Sequence, residues 1–271
     1  MIARLKSDPV NRDWDAKAYQ QFSRLRQRPV IELLDRVELQ SPKHIYDLGC
    51  GTGIATQLLA KRWPRAHLMG IDSSEQMLQE ARGLPIKALW KHCDLQNWQP
   101  EQPADLLFAA AVLHFIDGHE QLLPRLLGYL NAGGGLAAHM PDWRDAVWYQ
   151  LMLDTLDDGG SDGKPLGSAQ LRETMTARPL LSLENYHRLL SPITRTLDIW
   201  ETKQLQVVDG KSPIYDWIKV SALRAVMQGL KDEEQARFIY HFMMRVHAHY
   251  PHESDGRTLF PFKRIFIVAT V

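Results

Sequence analysis

A chain of 271 residues is long enough for one large α/β domain, or for a domain of ordinary size carrying an accessory lobe, and either can bury a full core. Lysine plus arginine and aspartate plus glutamate both total 32, so no global field draws the protein to nucleic acid or to an anionic membrane, and a small-molecule partner is the default. The longest apolar stretches, such as LLFAAAVLHFI (Leu106 to Ile116), stop well short of the roughly 20 residues a membrane-spanning helix needs.

The N-terminal run MIARLKSDPVNRDWDAK has charges spread through it and lacks the apolar core and small-residue cleavage site of a signal peptide, which points to a cytoplasmic protein. Residues 1–42 read as a helical cover, in which Trp14, Tyr19 and Phe22 recur at near-helical spacing. From 43 to 141 short β-like runs alternate with longer helical ones, the pattern of a parallel sheet wrapped by helices. The strands are HIYDLG (44–49), HLMGID (67–72), IKALWKH (86–92), DLLFAAA (105–111) and GLAAHM (135–140). Helical patterns fill 53–63, 74–82 and 119–130 between them. Residues 142–180 read as a helical and loop insertion around the glycine-rich DDGGSDGKPLG (157–167). From 181 to 271 the core resumes: LSLENYHRLL as a helix, TRTLDIWETKQLQV (194–207) as a bent or broken strand, and RIFIVATV (264–271) as the last strand. Within it, two helices over about 211–257 suggest a lid, the first opened by Ser212 as N-cap with Pro213 at the first helical position.

The glycines of YDLGCGTG (46–53) lie between the first strand and the first helix, where backbone N–H groups and a helix N-terminus meet part of a ligand. Ile54 and Ala55 follow where a P-loop needs Lys and Ser or Thr, so P-loop ATP chemistry is excluded. A nicotinamide fingerprint matches at Gly49 and Gly51 and fails at Ile54. Asp47 would repel a pyrophosphate and welcome a cation. Asp72 at the tip of the second strand suits ribose hydroxyls, and Asp94 after the third suits an adenine amino group. Cys50 and Cys93 are too few for a disulfide framework and read as reduced thiols. His241, His247, His249 and His252 invite a metal, but 247 and 249 point to different faces of a helix and no carboxylate completes a site, so no metal is expected.

In order and spacing, YDLGCGTG, GIDSS, HCDLQNW and DLLFAAAVLHFI resemble the ligand-binding segments of class I S-adenosylmethionine-dependent methyltransferases. That resemblance implies a doubly wound, Rossmann-like, mostly parallel seven-stranded sheet with the last strand antiparallel and helical lid insertions. It implies that Asp47, Gly49, Gly51 and Gly53 face the methionine moiety of S-adenosylmethionine and Asp72 its ribose, with Ser73, Met77 and Ala110 beside them and Cys93, Asp94 and Leu95 at the adenine. Arg28, before Pro29, could bind the donor's own carboxylate.

Segments outside the donor motifs, among them HMPDW, LDIWETKQLQ, YDWIKVSALR and FKRIFIVA, resemble a narrower family, the aconitate methyltransferases, which implies esterification of one carboxylate of a small polycarboxylic acid. A carboxylate is already ionised at neutral pH and needs no strong base, so positioning donors matter more. Tyr19, Arg26, Arg28, Arg144, Arg224 and Arg264 are the candidates for the acceptor, and His114, after the fourth strand, could hydrogen-bond it or act as a base for a less acidic one. The chain departs from that family's pattern at Trp143, at His114 with Phe115, and at Lys263. An acyl-thioester carboxylate, or a natural-product hydroxyl or nitrogen, therefore stays open as acceptor, as does a non-catalytic donor-binding protein.

Overall fold

The computed structural model describes residues 22–160, 163–177 and 180–271. Seven strands form one sheet: β1 (His44–Leu48), β2 (His67–Asp72), β3 (Leu89–His92), β4 (Ala104–Ala110), β5 (Leu130–Asp142), β6 (Thr196–Val208) and β7 (Thr258–Thr270). Their order is β3-β2-β1-β4-β5-β7-β6, parallel from β3 to β5, with β7 antiparallel to β5. This is the doubly wound sheet expected from the alternating pattern. Its order reverses between β1 and β4, so a crevice opens beyond their carboxyl ends, where such sheets take ligands.

Strand register sorts the core into two faces. Asp47 lies level with Phe108, Phe108 with Ala137, Ala110 with His139, and His139 with Phe266. On this face Ile45, Phe108, Ala137 and Phe266 pack with Val30 and Leu33 of α1 (Ser23–Asp35) and Ala55 and Leu59 of α2 (Ile54–Arg62). On the other, Leu48, Leu107, Ala109, Ala138, Met140 and Ile267 meet α4 (His119–Leu127) and α7 (Leu183–Leu190). Leu122 and Leu126, with Leu123 and Leu127, stand one turn apart on α4 and form its apolar stripe. Burial of each such leucine contributes about 1.5–3 kcal/mol. Between β2 and β3, α3 (Glu75–Arg82) is capped by Ser74, whose Oγ accepts from Met77 N at 3.2 Å, with Glu75 at the positive end of the helix.

Two compact units emerge. The sheet unit comprises the described residues within 22–142, 180–203 and 263–271. The helical unit comprises those within 143–177 and 204–262: α5 (Val147–Asp158), α6 (Ala169–Thr176), α8 (Pro213–Lys219), α9 (Leu223–Gly229), α10 (Asp232–His249) and the far ends of β6 and β7. In it α10 packs against α5, burying Phe238, Phe242 and Val246 at successive fourth positions. Arg245 joins them by an ion pair to Asp158 at 2.5 Å and a bond to Thr155 Oγ1 at 3.2 Å.

Four details differ from the sequence reading. β6 is continuous from Thr196 to Val208 rather than broken. β3 begins at Leu89 because Pro85 turns the chain, with Ile86 N bonded to Leu84 O at 2.8 Å. The helix expected over 212–230 is two, α8 and α9; between them Ser221 N and Oγ both bond back to Ile218 O, at 3.0 and 3.4 Å, a tightened turn that competes with the α-helical ladder. Pro213 does open α8, but the Ser212 hydroxyl pairs with His247 Nε2 at 3.1 Å and leaves the cap unmade.

Candidate active site

The chain leaves β1 through a loop that its glycines make possible. Gly49 has φ +66°, and a Cβ there would lie 2.3 Å from the Val112 side chain, so both its conformation and its packing require glycine. Gly53, at φ +83°, starts α2 from the left-handed region with Leu84 equally close. Gly51 differs: at φ +54° it has no atom within 4 Å of where a Cβ would be. The loop is therefore packed at its two feet and open at its crest.

Asp47 ends the inward-facing row of β1 and is completely buried. Thr56 Oγ1, from the first turn of α2, donates to its Oδ2 at 2.5 Å, while Oδ1 has no partner among the described residues. Burial, with a smaller push from the neighbouring Asp72 carboxylate, raises its pKa to about 7 in spite of the Thr56 bond. A buried carboxyl with a bare oxygen is poised to take a cation, which would draw off its proton. Asp72 is held differently. Its Oδ2 accepts from Gly51 N and its Oδ1 from Ser74 N, each at 2.8 Å. Cys50 packs beneath the loop, 5% exposed, and burial raises its thiol pKa well above the ordinary value, so it fills space as a neutral group.

The third strand hands over to Cys93, whose N–H bonds Asp72 O at 3.0 Å and so ties the second and third strand ends together. Asp94 is exposed and turns the chain through bonds from Gln96 N to its Oδ1 at 2.9 Å and from Asn97 N to its carbonyl at 3.1 Å. The side chains of Leu95 and Met77 are buried, so what these residues offer a ligand is backbone. Ser73 is exposed, and its carbonyl oxygen pairs with His92 Nε2 at 3.0 Å.

Beyond β4, Ala110 leads into Ala111, at φ +56° the one non-glycine with positive φ among the described residues. Its N–H is anchored on His139 O at 2.9 Å. Such a conformation costs on the order of 1–3 kcal/mol, and it marks the chain's passage along the crevice. A single 3₁₀ turn, Leu113–Phe115, then presents His114, 4% exposed. Burial, and next the charge of His119, lower the His114 pKa to about 3, so the ring is neutral at physiological pH and too weak to serve as a base. His119 braces this turn: its Nε2 lies 2.9 Å from Leu113 O and its Nδ1 2.7 Å from Tyr186 Oη. A carbonyl only accepts, so Nε2 carries the proton and Nδ1 accepts from the tyrosine.

The loop glycines, Asp47, Asp72, Ser73, Met77, Cys93, Asp94, Leu95 and Ala110 thus gather at the carboxyl ends of β1 to β4 in the sheet unit, as does His114. Arg264 also belongs to this unit, on β7, with 3% exposure. Arg26 lies on α1 with Nε and Nη2 buried, whereas Arg28 is exposed. Arg144 and Arg224 fall in the helical unit, and Tyr19 lies outside the described residues. Thr56, His119, Tyr186 and His139 were not singled out from the sequence. Only His139, a lone polar residue in an apolar strand, carried any signal there.

A methyltransferase-domain family model matches residues 45–134. A trans-aconitate 2-methyltransferase of Pseudomonas paraeruginosa is 62% identical, over 95% of this chain and 94% of its own length. One of Escherichia coli is 36% identical, over 95% of this chain and 98% of its own. Among solved structures, phosphoethanolamine N-methyltransferase 2 of Haemonchus contortus, in complex with S-adenosyl-L-methionine, matches with a TM-score of 0.53 at 14% identity, covering 94% of this chain and 56% of that one; the likeness is one of fold.

Proposed function

The chain belongs to the class I S-adenosylmethionine-dependent methyltransferases, in the family of the trans-aconitate 2-methyltransferases, and from that membership we propose that it methylates one carboxylate of trans-aconitate or a closely related small polycarboxylic acid. The products are a monomethyl ester and S-adenosylhomocysteine. When bound, S-adenosylmethionine supplies an electrophilic methyl group on a sulfonium, whose S–C bond breaks as the acceptor oxygen forms the new O–C bond.

The residues present fit this donor, and the bare Oδ1 of Asp47 is the observation that carries the fit. A fully buried carboxyl with one unused oxygen has a ready partner in the donor's ammonium, and the open crest at Gly51 leaves room beside it. Thr56 holds Asp47 from behind, so that its other oxygen stays aimed at the ligand. Asp72, fixed by two backbone amides, accepts from the ribose hydroxyls. Cys93, Asp94 and Leu95 border the adenine, Leu95 through its backbone, and Ser73, Met77 and Ala110 complete the wall.

On the acceptor side no base is required, because a carboxylate is ionised at neutral pH. His114 acts as a neutral hydrogen-bonding group that orients the acceptor, braced by His119 and Tyr186. Arg264 supplies the buried guanidinium for a second carboxylate, and Arg26 lies on the helix covering the same sheet face. Burial suits the task, since water around the acceptor oxygen would blunt its attack.

The test is purified protein with S-adenosylmethionine, with and without trans-aconitate, followed by mass spectrometry. A monomethyl aconitate formed together with S-adenosylhomocysteine is the expected result. S-adenosylhomocysteine release that is indifferent to every polycarboxylic acid offered would refute the acceptor class.

A further inference from the structure

His139 is a polar residue on a central strand, 2% exposed, and neither Nδ1 nor Nε2 has a hydrogen-bond partner among the described residues. Its backbone is satisfied by the sheet and by Ala111 N, so the ring alone is left over. A buried polar ring with nothing to bond destabilises a fold, and an apolar residue of similar size would fill the place without that cost. Its retention calls for a ligand that completes it.

Register shows what that ligand meets. His139 stands level with Ala110 on β4 and with Phe266 on β7, the two rings 5.6 Å apart. Pro141, two residues on, stands level with Arg264. His139 and Arg264 are therefore diagonal neighbours on one face, within reach of a common small molecule. Asp47 is on that face too, with β4 between β1 and β5, so two inter-strand spacings and a two-residue offset along the strands, together roughly 12 Å, separate it from His139. Ala110, at the end of β4 where the donor wall stops, lies between them. Burial and then the Arg264 charge hold the ring neutral, so a neutral N–H stands beside a guanidinium.

We propose that His139 is a specificity-determining residue that donates a ring N–H to a carboxylate of the acceptor beside Arg264, and so favours acids with more than one carboxylate; the inference rests on the polycarboxylate reading above. A dry site built to bond a substrate oxygen discriminates strongly against analogues without it, because its own donor is then left bare.

The experiment compares wild type, His139→Leu and His139→Gln, each checked for unaltered S-adenosylhomocysteine affinity by calorimetry. Initial rates are measured on trans-aconitate and on a monocarboxylic enoic acid. His139→Leu should raise KM for trans-aconitate about 10- to 100-fold with kcat changed much less, and flatten the preference over the monoacid. His139→Gln, which restores an N–H donor, should recover part of the loss. An unchanged KM and preference in a His139→Leu protein that binds S-adenosylhomocysteine normally would overturn the assignment. If His139→Leu fails to fold, an unchanged KM and preference in His139→Gln, with an equally unchanged ring signal for wild-type His139 by nitrogen-detected NMR on adding trans-aconitate to the S-adenosylhomocysteine complex, would overturn it too. A wild type that binds S-adenosylhomocysteine yet methylates no polycarboxylic acid would instead sink the acceptor reading, and this inference with it.

Discussion

The proposed donor edge and the proposed acceptor edge of the crevice are built from different materials. At the carboxyl ends of β1, β2 and β3, the polarity is mostly backbone: Gly51 N and Ser74 N clamp Asp72, Cys93 N bonds Asp72 O, and Asp47 is a completely buried carboxyl. Past β4 the polarity comes from buried side chains, His114 on a turn, His139 on β5 and Arg264 on β7. A backbone cradle is dictated by a few consecutive residues and serves one ligand throughout a class. A side-chain cluster assembled by strand pairing can change its chemistry one residue at a time, which suits an acceptor that varies from protein to protein.

The largest expected effect is at Asp47. Asp47→Asn should weaken S-adenosylhomocysteine binding on the order of 100-fold or more by calorimetry, because the ammonium loses a buried charged partner. The same change should relieve the ligand-free protein. A carboxyl with pKa about 7 when folded and 3.8 in the reference state keeps its proton in the fold at pH values where the unfolded chain has released it. Its contribution is therefore intact below about pH 4 and is lost as pH rises to about 7, a change of about 4 kcal/mol at most. His114 works in the opposite sense: its folded pKa of about 3 means that stability falls as pH drops below about 6.5. The clean readout is thus the difference in unfolding free energy between wild type and Asp47→Asn, which should shift in favour of the variant between pH 4 and pH 7.

The two loop glycines differ in what a side chain would meet. Gly49→Ala meets Val112 and a left-handed backbone together, so it should cost several kcal/mol and lower the melting temperature. Gly51→Ala meets no neighbour and should cost about 1 kcal/mol through its backbone alone, yet it should weaken donor binding by filling the open crest. On the acceptor edge, Tyr186→Phe removes the bond to His119 and should cost about 1 kcal/mol of stability. Its trace in the kinetics should be a raised KM for the acid with donor affinity unchanged.

This difference also explains what the sequence could and could not disclose. YDLGCGTG and Asp72 are legible because the loop's conformation and the acid after the next strand are local features, and the alternating pattern announces the sheet. The pairing of His139 with Arg264 is not, because it depends on β7 returning antiparallel beside β5 from far along the chain. The break between α8 and α9 was hidden for another reason. Neither glycine nor proline marks it, and the Ser221 bonds that make it are visible only once Ile218 O is in place. The buried environment that keeps His114 neutral is likewise a product of packing, which no residue spacing reports.

In the proposed donor site Asp47 waits as a protonated acid for the donor's ammonium. Calorimetric titration with S-adenosylhomocysteine in two buffers of different ionisation enthalpy reads proton release directly. With a pKa of about 7, about three quarters of a proton should be released at pH 6.5, falling to about a tenth at pH 8. Binding heats independent of buffer at both pH values would contradict it.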